Sequence, residues 1–212
     1  MATTDQALLQ QIQYALLEPP DAGQSFPSGL WTRDEVVNTA NQAQNQLLND
    51  TLLLVGIANV AVTAGVSRVA LPADLILIVT LVWRGVDGTV RELPRSDSFE
   101  ADHAIPTWEL TNTLAPLVYM EEEAPSGYVQ IGPAPSVAGT LEVLYVPLGT
   151  VLNGNGEILV VPDEVMPIVK YGALRDLLNK DGRGQDLDRA KYCDERRQLG
   201  VEAIEIILKG WA

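Results

Sequence analysis

One histidine and one cysteine are the whole stock of imidazole and thiol in this chain of 212 residues. A zinc site built from Cys and His is therefore excluded on ligand count. A Ser–His–Asp relay would have to use His103. Asp102 adjoins it, but neighbouring side chains on one backbone rarely meet in relay geometry, and no Gly-x-Ser-x-Gly turn is present. Glu121-Glu122-Glu123 invites reading as a carboxylate pair or cation site. Consecutive strand residues point to opposite faces, so only Glu121 and Glu123 would share one, and a solvated edge is the better expectation. Asn153-Gly154-Asn155-Gly156-Glu157 brings oxygen ligands close to glycines but lacks the Asp spacing of a calcium loop, so a hairpin turn is expected. No glycine-rich loop opens a helix after a strand, which removes nucleotide binding. The chain is expected to be neither an enzyme nor a holder of any cofactor or metal.

What remains is architecture. Helix-forming sequence stands at both ends, with about a hundred residues of β-type sequence between. Asp5 to Glu18 reads as a first helix, with Thr3 and Gln6 at capping-box spacing, Leu8, Ile12, Ala15 and Leu16 at helical intervals, and Pro19-Pro20 as the stop. A second helix starts at Thr32, with Glu35 placed to reach back to the cap and Trp31 and Val36 placed as a hydrophobic staple. Val36, Val37, Ala40, Ala43, Leu47 and Leu48 form its apolar stripe. The opposite face is an uncharged amide surface of Asn38, Asn41, Gln42, Asn45 and Gln46, suited either to solvent or to contacts between like subunits.

From Leu52 to Val161 short Val/Ile/Leu/Thr runs are broken by Gly, Pro and Asn. Strands are expected at 52–62, 66–71, 75–84, 90–93, 117–120, 128–131 and 140–146, with Asp87-Gly88 as a tight hairpin turn. Residues 95–114 read as an irregular excursion. Two helices close the chain. One is capped by Asp163 with Pro162 and Pro167 in its first turn and runs to about Lys180; the other covers 185–209, loosened midway at Leu199-Gly200. Its apolar end, from Ile204 through Ile207 and Leu208 to Trp211, needs a partner surface, either the protein's own core or a neighbouring chain.

The fold class expected is α+β: N-terminal and C-terminal helical pairs packed together, flanking an inserted antiparallel β-rich domain, sandwich- or barrel-like. The segments are 1–51, 52–161 and 162–212. The net charge of −14 is lopsided, because residues 1–161 carry 18 acidic and 5 basic side chains against 10 and 9 in 162–212. So acidic a body should repel duplex DNA; the acidity serves either solubility or a surface that DNA passes without sticking. The first residues carry no basic side chain, the longest strongly apolar run (75–82) is far too short to span a membrane, and a lone Cys193 permits no intrachain disulfide. A soluble protein made in a reducing cytosol, without membrane contact, is expected.

The order of short motifs resembles one family. Trp31-Thr32-x-x-Glu35 precedes Leu71-Pro72-Ala73-Asp74; Ile105-Pro106-x-Trp108, Gly127–Pro135 and Gly139–Tyr145 follow, and then Val161-Pro162-Asp163-Glu164 leads to Lys170–Leu174. Asp181-Gly182-x-Gly184-Gln185-Asp186 and Arg189-Ala190-x-Tyr192 complete the series. Over roughly residues 28–200 this is similar to the head–tail connector, or adaptor, proteins of tailed bacteriophages. The resemblance implies a structural virion protein of the neck, assembled in the host cytoplasm. It implies a homo-oligomeric ring, commonly of twelve subunits, beneath the portal of the DNA-filled head. The ring would extend the DNA channel and dock tail or nozzle proteins, while double-stranded DNA passes without specific binding. On this reading Asn38, Asn41, Gln42 and Asn45 serve subunit contacts, Ile204, Ile207, Leu208 and Trp211 grip the portal, and Glu121, Glu122 and Glu123 contribute an acidic channel wall. Competing expectations are a tail-side ring component (nozzle or tail terminator) and a carbohydrate- or receptor-binding β module. The latter would need a cluster of exposed aromatics, whereas the middle region holds only Trp83, Phe99, Trp108, Tyr119, Tyr128 and Tyr145, mostly at core-like strand positions.

Overall fold

A computed structural model describes residues 4–18, 26, 28–121 and 125–210. The chain divides into two compact units, one of residues 1–54 with 148–212 and one of residues 55–147. The first is helical and the second is strand-rich with one short helix, so the fold is α+β with helices at both ends of a strand-rich insertion.

In the helical unit, α1 (Asp5–Ala15) is capped by Thr4, whose hydroxyl accepts from the Ala7 N–H. The cap thus lies one residue beyond the expected Thr3, which, like Pro19 and Pro20, is outside the described residues. α2 (Arg33–Thr51) carries the full capping box: Thr32 Oγ1 accepts from the Glu35 N–H while the Glu35 carboxylate accepts from the Thr32 N–H. It ends in a left-handed residue, Leu52. α4 (Met166–Asn179) starts later than expected. Asp163 does not cap it; Val165 occupies the cap position without a side-chain bond, and Pro167 sits in the first turn, where a missing N–H costs nothing. α5 (Leu187–Lys209) is capped by Asp186, which accepts from the Arg189 N–H. α4 packs against α5 and α2, and α1 against α4. Leu8, Ile12, Val36, Ala40, Leu47, Leu48, Val169, Ala173, Leu177 and Leu178 are among the buried residues of these faces. Fully burying each such leucine is worth about 1.5–3 kcal/mol, which is what holds amphipathic helices of ordinary propensity together.

In the strand unit β1 (Gly56–Val62), β9 (Gly139–Pro147), β3 (Leu75–Gly85) and β4 (Val90–Leu93) form one antiparallel sheet in the order β1-β9-β3-β4. β2 (Arg68–Ala70), β7 (Tyr128–Gly132) and β6 (Val118–Met120) form a second, also antiparallel. β5 (Asn112–Thr113) and β8 (Ala134–Pro135) make a short parallel pair. Inward residues of the two larger sheets, among them Leu81, Trp83, Leu141 and Val143 from one and Val69, Tyr119, Val129 and Ile131 from the other, share one buried cluster, as in a sandwich. The turn at Asp87-Gly88 joins β3 to β4, with Gly88 at φ +86° and Asp87 accepting from the Thr89 N–H and hydroxyl. The excursion at 95–114 is more ordered than expected. It holds α3 (Ser98–Ala104), capped by Asp97, and Trp108, whose indole N–H donates to Asp102 at 2.8 Å. Trp108, Ala101 and Met120 form a small separate core there.

Candidate interaction site

The amide face of α2 divides in two. Asn41 Oδ1 accepts from the Leu152 N–H at 2.8 Å, and its Nδ2 donates to the Leu152 carbonyl at 2.9 Å and to Val37 O. Asn45 Oδ1 accepts from the Gly149 N–H, and Gln44 donates to Thr150 O. These side chains act as a strand substitute: they satisfy the extended segment that follows β9 where no neighbouring strand does. Asn38 and Gln42 remain exposed. Residues 148–161, expected with the β region, consequently group with the helices. The cause is amide pairing from Asn41, Gln44 and Asn45 to Leu152, Thr150 and Gly149, a pattern legible only once the partner segment is known.

The same segment then turns around Asp5. The fully buried Asp5 carboxylate accepts backbone N–H bonds from Asn153 (2.9 Å), Gly154 (2.6 Å) and Gly156 (2.9 Å). Burial by itself would raise the pKa of this carboxyl, but the N–H groups aimed at it outweigh burial and hold it below the ordinary aspartate value. The Asn153–Gly156 turn is therefore not a hairpin between two strands. It is a cradle of N–H groups filled by the first residue of α1.

α5 is continuous through Gly200. An added Cβ there would lie 2.5 Å from Ile168 Cγ1, so this glycine sets the close approach of α4 and α5 and does not loosen the helix. On the packed side of α5, Arg197 is buried and ion-paired with Asp50 of α2. Arg175 of α4 spans Asp176, Asp194 and Gln46. Cys193 is buried there too, and desolvation pushes its thiol pKa up, the reverse of what a reactive cysteine needs.

Beyond Arg197 the helix outgrows its core. Ile204 is buried, yet Ile206 (71% exposed), Ile207 (59%) and Leu208 (40%) are open. Tyr192, Leu199 and Ile206, seven residues apart, are all exposed on this helix, and the Arg196 guanidinium lies over the Tyr192 ring. Trp211 lies outside the described residues, as do Glu122 and Glu123. Glu121 is half-buried and 3.7 Å from Arg95, so its charge is partly answered within its own unit. The His103 ring lies tilted at 42° against the exposed Phe99 ring, with centroids 4.2 Å apart, and its Nδ1 bonds Phe99 O at 2.9 Å. Among the described residues no group of His, Cys, Asp and Glu could hold a metal ion, and no helix is long and apolar enough to cross a membrane. The features that sequence reasoning missed are the Asp5 cradle, the two hydrogen bonds between Asn41 and Leu152, and the close approach at Gly200. Only Gly200 carries any signal in sequence, as a glycine in an otherwise strong helix.

The apolar tip of α5 is a feature of the kind that marks a contact surface. The family model described as SU10 adaptor protein matches residues 4–204, which is nearly the whole chain. No curated protein matches it. The motif order, the α+β architecture and this match agree, and the chain belongs to the SU10 adaptor protein family, the head–tail adaptors of phages.

Proposed function

We propose that this adaptor assembles as a ring of about twelve copies beneath the portal, in the neck between capsid and tail, and lengthens the channel through which DNA leaves the head. The single observation that carries this reading is the adaptor-family match over residues 4–204. Two features of the chain support it. Its charge of −14 disfavours retention of duplex DNA along a channel wall. The α5 end presents Ile206, Ile207 and Leu208 to solvent, an apolar tip of the kind that marks protein contacts.

In this assembly side-to-side contacts are heterologous, and exposed Asn38 and Gln42 on α2 belong to them. The tip of α5, with Trp211 beyond it in sequence, grips the portal, and a different surface receives tail or nozzle proteins. Glu121, Glu122 and Glu123 contribute to the acidic wall. The protein works by shape and stacking and performs no catalysis. Native mass measurement of the full chain, alone and mixed with portal, tests the reading directly. A ring, or a ring formed on the portal, is expected; a chain that stays monomeric in both conditions overturns it. Deletion of residues 204–212 should abolish portal binding and leave the β unit folded, and retained binding would sink the assignment of the tip.

A further inference from the structure

The edges of the two larger sheets are unequal. β2 and β6, which border the three-stranded sheet, are three residues long, and β4 is four residues with Arg91 and Glu92 at its centre. β1 is an edge of another kind. Its seven residues, Gly56-Ile57-Ala58-Asn59-Val60-Ala61-Val62, include no charge and no proline, and they pair with β9 in unbroken register on one side only. In an antiparallel ladder alternate residues turn their N–H and C=O away from the partner, so about half of the β1 backbone groups face the free edge. None of them enters the turn and loop backbone hydrogen bonds of the described residues.

Folded proteins ordinarily blunt such an edge with short length, lysine, proline or a bulge. β2, β4 and β6 are blunted by length, and β4 also by charge. β1 has none of these devices. We infer that the free edge of β1 receives an extended segment of another virion protein, which adds to the sheet as a fifth strand.

The surroundings of β1 define the occupant. Ala58 and Val60 are partly buried against the core, so the added strand gains by placing apolar residues beside them. Ile57, Asn59 and Ala61 face outward and are exposed, uncharged and small enough to accept β-branched or polar neighbours. Residues 55–147 carry 11 acidic and 4 basic side chains, a net of −7. The side-to-side contacts of the ring lie on α2; at the β1 edge a second copy would set one unit of net −7 against another, whereas a segment flanked by Lys or Arg is drawn in. That the occupant comes from the virion rests on the adaptor reading. The edge chemistry does not, and the native-mass experiment and the one below fail independently.

The experiment is hydrogen exchange on the full-length protein with a short peptide of alternating threonine and valine flanked by lysines. In the free, dilute protein about half of the 56–62 amides should exchange quickly, as at an open edge. Adding the peptide should slow exchange in 56–62 by about tenfold or more and leave 90–93 unchanged. The same peptide N-methylated at alternate backbone nitrogens should give no protection, and an aspartate-flanked version markedly less. Full protection of 56–62 in the dilute free protein would overturn the inference. So would protection that grows with protein concentration without peptide, which would identify a second copy as the occupant. Equal effects of the N-methylated or aspartate-flanked peptides, or protection confined to another segment, would overturn it as well.

Discussion

The Asp5 carboxylate accepts the backbone N–H of Gly154 at 2.6 Å across 149 positions of sequence. With Asn153 and Gly156 donating to the same carboxylate, and with the Asp5 N–H donating to Glu157 O, this closes the chain's first helix onto the segment that leads to its last two. Gly154 stands at φ +79° and Gly156 at φ +101°, conformations that let successive N–H groups converge and that other residues adopt only with strain.

Asp5→Asn is expected to destabilise the protein by about 2–3 kcal/mol. It replaces a charge-assisted acceptor by an amide that must turn one N–H toward other donors. Urea unfolding at neutral pH measures this. The pH dependence follows from the direction of the shift. The folded carboxyl is held below its unfolded value of about 3.9, so its stabilisation is complete above that pH and is lost as pH falls through the lower folded value. Wild type and Asp5→Asn should therefore converge in stability on acidification; a gap that stays constant down to strongly acid pH would refute the role given to Asp5.

Asn41→Ala removes a donor and an acceptor from Leu152 at once and should cost about 1–3 kcal/mol. Amide exchange provides a local reading. The Leu152 N–H should exchange much faster in the variant, while amides of β3 and β9 keep their protection. Unchanged exchange at Leu152 would mean that water serves the segment as well as Asn41 does.

Gly200→Ala should cost about 1–3 kcal/mol, because the new methyl meets Ile168 at overpacked distance. Shortening the opposing side chain supplies the check. In Ile168→Ala the same Gly200→Ala change should be nearly neutral, so a double-mutant cycle by thermal or urea unfolding should show strong coupling. Additive effects would remove the close approach as the reason for glycine.

Asp50→Ala and Arg197→Met are expected to differ in cost. The first leaves the buried Arg197 charge without its partner, which is typically worth about 3–5 kcal/mol when the charge is buried. The second removes the charge and keeps much of the apolar stem, and should cost markedly less. Equal losses in denaturant unfolding would show that packing of the stem, and not the ion pair, is what matters there.

Ile206→Ser with Ile207→Ser should leave the unfolding free energy of the isolated chain within about 0.5 kcal/mol, since both side chains are already in water. The same double variant should lose its complex with the portal when native masses are compared. Loss of stability in place of binding would return this tip to the protein's own core.

Local patterns sufficed wherever the cause of a structure is local. The Thr32–Glu35 capping box, the Asp87-Gly88 turn, the helical stripe of α2 and the span of β4 are each set by residues within a few positions of one another, and all four are as expected. α4 is capped two residues later than expected, because Pro162 and Asp163 form an exposed turn and the buried face begins with Val165, Met166 and Ile168. Asn41, Asp5 and Gly200 are different in kind. An amide face reads alike whether it meets water or the backbone of Leu152, an aspartate in a first helical turn reads as a cap, and a helical glycine reads as a weakness. Their roles depend on partners 111, 149 and 32 positions away, brought close only by packing. Near-neighbour periodicity and capping follow from backbone geometry and could be read from the chain itself. The filling of the Asp5 cradle, the clamp on Leu152 and the contact at Gly200 exist only once the helices have docked, because each joins groups that no local rule relates.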